Sequence, residues 1–225
     1  MRKKRPPKKS DRFYLKRKAM VDDVLVPMGI RDRNVLDAMS KVPRHLFLEE
    51  ALWNHAYENR SLPIGHRQTI SQPYTVALMT ETLKLKPTDK VLEIGMGSGY
   101  QAAVLAEIVE KVVTIERIKS IWVATRKLLE RMGYLNIMTA CTDGTSGYPD
   151  QAPYDSILVS AAGPDVPEAL LRQLKPIGRL IMPIANDKDQ RVLRLIKNGD
   201  RVTRKMITPC TFVKLVGRHG FEEGS

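Results

Sequence analysis

The chain has 225 residues, 43% of them hydrophobic, which is enough to bury the core of one domain with short additions. No apolar run reaches the length of a membrane-spanning helix and no apolar signal segment opens the chain, so we expect a soluble, unexported, cytoplasmic protein without a membrane partner. The net charge of +12 is concentrated in residues 1–18, which hold ten Lys or Arg against one acid and leave a balance of +3 elsewhere, so a domain that is basic throughout is excluded.

The basic segment is predicted to be a partly disordered tail. Residues 1–9 contain no apolar side chain after Met1 and include Pro6-Pro7. A run of this kind can contact nucleic acid, a membrane surface or acidic proteins, or it can simply be solvated. Its composition leaves these possibilities open.

Helices are predicted before the first glycine-rich segment. Apolar residues recur at helical spacing over residues 11–28, and a second helix is predicted to begin at Asp32. Residues 44–57 are expected to be helical in part. A polar loop follows over residues 62–74 and leads into an amphipathic helix that ends near Leu85.

The stretch after this helix carries the clearest signal of a binding site. The apolar run Val91–Ile94 stops at Gly95, Gly97 and Gly99, and helical periodicity then continues to Val109. This pattern predicts a strand, a tight turn and a helix. Glycines let the backbone approach a ligand closely, and open α/β sheets bind ligands at the carboxyl ends of their strands.

The glycine spacing favours S-adenosyl-L-methionine over a dinucleotide. A dinucleotide fingerprint has the pattern Gly-x-Gly-x-x-Gly, whereas here the glycines alternate and Tyr100 follows the third. The next predicted strand, residues 111–116, ends in Glu116, whose carboxylate can accept hydrogen bonds from two ribose hydroxyls. An acid before the glycines is also common in class I methyltransferases, and an ordinary turn with a chance acid is the alternative. The predicted cofactor contacts here are Glu93, Gly95, Gly97, Ser98, Gly99 and Glu116.

A third strand is predicted to reach the same edge of the sheet. It covers residues 137–141, after a helix over residues 118–132, and it leads to Asp143-Gly144. This pair is first of all a turn signal. At that edge, however, the Asp143 carboxylate can also accept a hydrogen bond from the amino group of an adenine.

The remaining pattern completes an α/β fold. A strand, a helix and a strand are predicted at residues 154–160, 167–174 and 179–184, and then a hairpin at residues 190–197 and 201–207. We therefore predict a Rossmann-like class I methyltransferase fold: a mostly parallel twisted sheet with helices on both faces and an antiparallel C-terminal hairpin.

A single domain is expected after the tail, over residues 19–225. It would comprise N-terminal helices and a substrate loop (19–85), a cofactor-binding core (86–185) and C-terminal antiparallel strands (186–225). The four histidines and two cysteines show no metal-ligand spacing, so no metal is predicted. Cys141 and Cys210 are expected to be reduced, buried thiols.

Several segments, taken together, resemble one known family. Their order is similar to that of the protein-L-isoaspartate O-methyltransferases over about residues 20–217, and the segments are Leu62–Gly65, Gln68–Tyr74, Val91–Gln101 and Val113–Ile118. The run Gln-Thr-Ile-Ser-Gln-Pro is more diagnostic than the glycine turn, which many methyltransferases share. The resemblance implies that Ser71 is the active-site hydroxyl and that Gln68, Thr69, Ile70 and Ser71 flank the methyl group of the cofactor. Ser71 can also be the N-cap of the next helix, with Pro73 in its first turn, and the two roles are compatible.

The resemblance implies further contacts. In the family, the pair equivalent to Asp143-Gly144 contacts the cofactor, and a terminal strand, here residues 211–217, helps to hold the isoaspartyl peptide. The implied substrate contacts are Ser71, Gln72, Val213 and Leu215. The chain departs from the family at Glu58, Arg67 and Lys214, where Asp, Gly and Pro are usual, and these changes concern loop geometry and peptide preference.

The implied activity is methyl transfer from S-adenosyl-L-methionine to the α-carboxylate of L-isoaspartyl residues in damaged proteins or peptides. The ester would then form a succinimide and return some chains to the normal aspartyl linkage. A carboxylate is already ionised near neutral pH, so the reaction needs no dedicated general base. Nothing in the chain suggests an obligate oligomer, so a monomer is expected.

Two other classes of function stay open at this point. One is a nucleic-acid methyltransferase that uses the basic tail, although the chain has no Asn-Pro-Pro-Tyr-type base-methylation motif and no catalytic-cysteine motif. The other is a noncatalytic adaptor that keeps the cofactor turn.

Overall fold

The structure, a computed structural model, describes residues 12–186 and 189–222. The α-helices α1–α6 are Tyr14–Ala19, Arg33–Lys41, Pro73–Thr82, Tyr100–Ile108, Lys119–Arg131 and Glu168–Gln173. The strands β1–β9 are Leu62–Pro63, Thr69–Ile70, Lys90–Ile94, Lys111–Glu116, Ile137–Cys141, Tyr154–Val159, Leu174–Ala185, Gln190–Asn198 and Arg201–Pro209. The segment predicted to be disordered, residues 1–9, lies outside the described residues.

The strands β3 to β9 form one seven-stranded sheet in the order β5-β4-β3-β6-β7-β8-β9. Neighbouring strands from β5 to β7 pair in parallel, whereas β8 and β9 pair antiparallel. The predicted α/β fold with its antiparallel C-terminal hairpin is therefore confirmed. The short strands β1 and β2 form a separate antiparallel hairpin.

Apolar side chains cover both faces of the sheet. One buried cluster contains Val91, Val112 and residues of α2, α3, α4 and α5. The other contains Leu92, Val113 and, from α6, Leu170. Successive side chains of a strand point to opposite faces. The parallel strands are thus buried on both sides, as their continuous apolar runs predict.

The N-terminal helix packs onto the domain. It continues beyond α1 as a π-helical turn at Met20–Leu25. Phe13 and Arg17 are buried, so part of the segment assigned to the tail contacts the domain. Asp32 is the N-cap of α2, and its carboxylate accepts hydrogen bonds from the first turn, which agrees with the predicted start of this helix.

Two local expectations differ from the structure. Cys141 is exposed and Cys210 is half-buried, both as free thiols, so the prediction of buried thiols is wrong for Cys141. The reason is that Cys141 ends β5, which is an edge strand. Residues 211–217, which resemble a terminal strand, form two isolated parallel bridges, Lys214 with Ala162 and Val216 with Phe221, instead of a strand.

Within residues 12–186 and 189–222, no helix is long and apolar enough to cross a membrane. In the same ranges, no group of three His, Cys, Asp or Glu side chains is placed to hold a metal ion.

Candidate active site

A cavity partly open to solvent lies at the carboxyl ends of β3, β4 and β6. This is the edge at which open α/β sheets bind ligands. Its walls come from distant parts of the chain, namely residues 68–71, 94–98, 115–118 and 211–216, together with Gly144.

The glycine turn that follows β3 forms one wall. The backbone N–H groups of Gly95 and of the next residue both donate to the Ile115 carbonyl at 2.9 Å, which ties the turn to β4. Gly97 has φ 50° and Gly99 has φ 85°, in the left-handed region that favours glycine. A Cβ atom on Gly99 would lie 2.6 Å from Cγ2 of Thr125 in α5. The glycines are therefore needed both for the turn and for helix packing.

Glu116 ends β4 beside this turn. Its carboxylate accepts hydrogen bonds from the backbone N–H of Gly97 at 3.0 Å and of Ile118 at 2.9 Å. The side chain lines the cavity although it is only 7% exposed. A carboxylate has about four acceptor positions, so this fixed group can accept further hydrogen bonds from two ligand hydroxyls.

Ser71 lines the cavity from the loop that precedes α3. The N-cap of α3 is Gln72, without a side-chain cap, and Pro73 is the first helical residue. The alternative that Ser71 is the N-cap is therefore wrong by one position. The Ser71 carbonyl accepts a hydrogen bond from Nη2 of Arg44 at 2.7 Å, whereas its hydroxyl has no partner in the described part of the chain. That hydroxyl is free to bind a ligand.

The β1–β2 hairpin carries this loop. Its tip is closed by a hydrogen bond from the Gln68 N–H to the Gly65 carbonyl at 2.8 Å. His66 and Arg67 both have positive φ, 50° and 56°. The His66 Nε2 atom lies 3.1 Å from the Ser120 hydroxyl, which links the tip to α5. At Arg67, where the resembling family usually has glycine, a larger residue thus adopts a glycine-like conformation.

The cavity brings together most of the predicted site residues. Its lining includes Gln68, Thr69, Ile70, Ser71, Gly95, Gly97, Ser98, Glu116 and Gly144, and the predicted substrate contacts Val213 and Leu215. Glu93, Gly99, Asp143 and Gln72 do not belong to the lining. Gly99 contacts α5 and Gln72 caps α3, so both lie behind the wall.

Glu93 is buried inside the protein instead of facing the cavity. One carboxyl oxygen accepts a hydrogen bond from the Thr114 hydroxyl on β4, and the other has no hydrogen-bond partner among the residues that the structure describes. Complete burial raises the pKa of Glu93 to about 8, the Thr114 hydrogen bond opposes this rise, and the charge of Glu116 adds to it. Glu93 is therefore a neutral carboxylic acid near neutral pH.

Asp143 is occupied by the C-terminal loop. Its carboxylate accepts hydrogen bonds from the N–H and hydroxyl of Thr145, at 2.8 and 2.7 Å, and from the N–H of Arg218 at 2.8 Å. Partial burial opposes ionisation, but the hydrogen bonds from Arg218 and Thr145 outweigh it and lower the pKa of Asp143. The neighbouring Gly144, and not Asp143, reaches the cavity.

Sequence reasoning missed several residues at this site. Arg117 lines the cavity without having been predicted, and Lys214, which was noted only as a departure from the family, lines it as well, so that both bring positive charge to it. The position of Arg117 directly after Glu116 was a usable signal, since residues just beyond a strand end reach the same edge. Arg44, which holds Ser71, lies far from it in the sequence, and no local pattern marks that contact.

The architecture defines the class of protein. A Rossmann-like sheet whose glycine turn lies beside an acid at the end of the next strand is that of a class I S-adenosylmethionine-dependent methyltransferase. The model of the family described as Protein-L-isoaspartate(D-aspartate) O-methyltransferase matches residues 15–220. The chain belongs to this family.

Two relatives are similar to this chain over nearly the full length of both proteins. A protein-L-isoaspartate O-methyltransferase of Geobacter metallireducens is 49% identical, over 93% of this chain and 97% of that protein. Protein-L-isoaspartate O-methyltransferase 2 of Geotalea uraniireducens is 51% identical, over 91% of this chain and 95% of that protein.

Solved structures agree with the fold. A protein-L-isoaspartate O-methyltransferase has a TM-score of 0.83 at 30% identity, over 91% of this chain and 67% of that one. A Plasmodium falciparum β-aspartate methyltransferase in complex with S-adenosyl-L-homocysteine has a TM-score of 0.78 at 24% identity, over 89% and 98%, and is similar in fold.

Proposed function

We propose that this protein transfers the methyl group of S-adenosyl-L-methionine to the α-carboxylate of L-isoaspartyl residues in damaged proteins and peptides, which starts their repair through a succinimide. The observation that carries the proposal is that one cavity combines Ser71 with the glycine turn and Glu116. Methyl transfer needs donor and acceptor held in line at short distance, and a shared cavity provides this alignment.

The cavity fits the proposed cofactor. Bound S-adenosyl-L-methionine supplies an activated methyl group. We assign Glu116 to the ribose hydroxyls, because its carboxylate is fixed by two backbone N–H groups and still has acceptor capacity. The turn at Gly95, Gly97 and Ser98 allows close approach of the backbone. Gly144 packs closely against β3, since a Cβ atom there would lie 2.4 Å from Cγ2 of Ile94.

Residues outside the lining receive supporting roles. Glu93 joins β3 to β4 through Thr114 directly beneath the glycine turn. Asp143 ties the loop at Arg218 to the end of β5 and so holds Gly144 in place. We propose that both act on the cofactor through these neighbours.

The substrate carboxylate is proposed to bind at Ser71. The Ser71 hydroxyl donates a hydrogen bond that orients the nucleophilic oxygen of the substrate. No general base is required, because the α-carboxyl group of the substrate is already ionised. Residues 211–216 form the facing wall, where Val213 and Leu215 exclude water from the reacting groups. Gln68, Thr69 and Ile70 are assigned to the methyl-bearing part of the cofactor.

Paired synthetic peptides test the proposal. One contains L-isoaspartate and the other L-aspartate at the same position, and transfer of labelled methyl from S-adenosyl-L-methionine is measured. We expect a base-labile ester on the isoaspartyl peptide only. Transfer to neither peptide, with S-adenosyl-L-homocysteine still bound, would contradict the proposed substrate and favour the adaptor. Salt-sensitive methylation of RNA, lost on removal of the basic residues 1–9, would favour the nucleic-acid methyltransferase instead.

Other assignments stay predictions from the sequence. These are a cytoplasmic location, a monomeric state, a single domain over residues 19–225 and nucleic-acid contact through the basic tail.

A further inference from the structure

Arg44 is a buried cation near the proposed substrate site. It follows Pro43 and lies in a 3₁₀ turn, Arg44–Phe47, with none of its surface exposed. No carboxylate contacts it among the residues that the structure describes. Burial lowers its pKa to about 10, so the guanidinium is still charged at neutral pH.

The guanidinium contacts backbone carbonyls and an aromatic ring. Its Nε donates to the Ala56 carbonyl at 2.8 Å, and its Nη2 donates to the Ser71 carbonyl at 2.7 Å. Its Cζ lies 4.8 Å from the centre of the Tyr100 ring. The third nitrogen, Nη1, is buried and has no hydrogen-bond partner among residues 12–186 and 189–222. Hydrogen bonds from an ionised donor are stronger than neutral ones, so these contacts hold both carbonyls firmly.

The two carbonyls mark the two ends of one loop. Residues 56–71 contain the β1–β2 hairpin and end with the segment that lines the cavity. Arg44 therefore closes this loop at its base. A buried ion without a counterion is unfavourable, and an apolar side chain of similar volume would avoid that penalty. A function of the Arg44 charge at the Ser71 end of this loop would explain why a charged side chain is buried here.

We propose that Arg44 is a positioning residue for methyl transfer: it fixes the Ser71 backbone, and thereby the direction of the Ser71 hydroxyl toward the substrate carboxylate. The inference rests on the proposed function. Arg44 touches neither substrate nor cofactor and acts only through Ser71.

The test compares Arg44→Met with a matched control, Arg17→Met. Arg17 is equally buried, and it donates to the Ser40 carbonyl at 2.7 Å and to the Tyr57 hydroxyl at 3.2 Å, whereas the Ser71 carbonyl is held by Arg44. Both variants are expected to unfold more easily. Only Arg44→Met is expected to lower kcat for the isoaspartyl peptide, by about 10- to 100-fold, because small displacements of a reacting group have effects of that size. Its Kd for S-adenosyl-L-homocysteine should change less than about threefold.

Two further measurements make the test decisive. Arg44→Lys keeps the charge and can reach one carbonyl, so it is expected to recover part of kcat, and it replaces Arg44→Met if that variant does not fold. Amide hydrogen exchange of residues 62–71 is expected to rise in the Arg44 variants but not in Arg17→Met. If the wild type is active and the Arg44 variants show unchanged kcat and unchanged hydrogen exchange, the inference about Arg44 is contradicted and the proposed function is not. An inactive wild type would overturn the proposed function as well.

Discussion

At the scale of single residues, burial and hydrogen bonding give similar side chains different tasks. Glu93 and Glu116 lie near the ends of adjacent strands, yet only Glu116 reaches the cavity. Glu116 accepts two backbone hydrogen bonds that fix its carboxylate beside the glycine turn. Glu93 has one hydroxyl partner among the described residues and is fully buried, which raises its pKa to about 8. Glu116 is therefore suited to bind a polar ligand, whereas Glu93 stabilises the sheet.

Ser71→Ala should lower turnover without weakening the cofactor complex. The hydroxyl has no partner in the described part of the chain, so its removal should change the free energy of unfolding by less than about 0.5 kcal/mol. We expect kcat for the isoaspartyl peptide to fall about tenfold or more, because one orienting hydrogen bond is lost. Ser61→Ala, at an exposed position before β1, is the matched control. Equal kcat in the two variants would remove Ser71 from the mechanism.

Glu93→Gln should make stability less dependent on pH. The pKa of Glu93 is raised to about 8 in the folded state from 4.5, so the folded state binds the additional proton between these values. Its contribution is therefore fully present below pH 4.5 and is lost as the pH rises through 8. The amide of Gln can still accept the Thr114 hydrogen bond and does not ionise. Urea unfolding at pH 5.5, 7 and 8.5 measures this effect, and parallel pH curves for wild type and variant would contradict the assignment.

At the scale of elements, helix α3 connects the substrate loop to the cofactor strand. It begins at Pro73, directly after Ser71 and Gln72, and ends at Thr82. Just beyond it, Lys84 has φ 51° and its N–H donates to the Glu81 carbonyl at 3.0 Å. Left-handed residues of this kind commonly end helices and are usually glycine. The same conformation recurs at Arg67 in the β1–β2 hairpin, so both turns carry long basic side chains where glycine would fit better.

Lys84→Gly should stabilise the protein. It removes the strain of a left-handed non-glycine residue, about 1 kcal/mol, although the flexibility of glycine in the unfolded chain offsets part of this. Lys84 is exposed, so no packing is lost. Lys86→Gly, two residues later and also exposed, is the control, and it should be neutral or destabilising. Thermal unfolding of the two variants measures the difference, and a lower melting temperature for Lys84→Gly would contradict the prediction.

At the scale of the whole molecule, the cavity joins segments that are far apart in the chain. The loop at residues 68–71, the turn at 94–98, the strand end at 115–118 and the wall at 211–216 meet there. The C-terminal wall is tied back to the sheet, because the Leu215 N–H donates to the Ala162 carbonyl at 2.7 Å. A ligand in the cavity thus contacts both ends of the domain and is expected to stabilise it as a unit.

S-adenosyl-L-homocysteine should therefore raise the melting temperature. At a concentration of 100 times Kd, a ligand that binds only the folded state adds about 2.7 kcal/mol to the free energy of unfolding. Glu116→Ala should reduce this gain at the same ligand concentration, because it removes the proposed ribose contact. Glu110→Ala, at an exposed acid before β4, should leave it unchanged. Equal shifts in both variants would argue against the ribose assignment.

Much of the fold and of the site was predictable from local patterns. Alternating glycines after an apolar run indicated a turn that binds a ligand. The acid at the end of the next strand indicated that this ligand is S-adenosyl-L-methionine. The Gln68–Tyr74 run, together with the glycine turn, indicated the family that the comparisons confirm. These signals are local because helix and strand periodicity, turn conformation and strand-end position depend on neighbouring residues.

Only the tertiary structure decided which distant groups meet. In the folded chain Glu93 is buried in the interior, and Asp143 accepts a hydrogen bond from the C-terminal loop. Cys141 is exposed at a sheet edge, and Arg44 contacts Ser71. Periodicity shows which face of an element is apolar, but not which remote backbone group a buried polar side chain reaches. The hydrogen bonds and burial that set charge at this site arise between segments far apart in the chain, and folding alone brings those segments together.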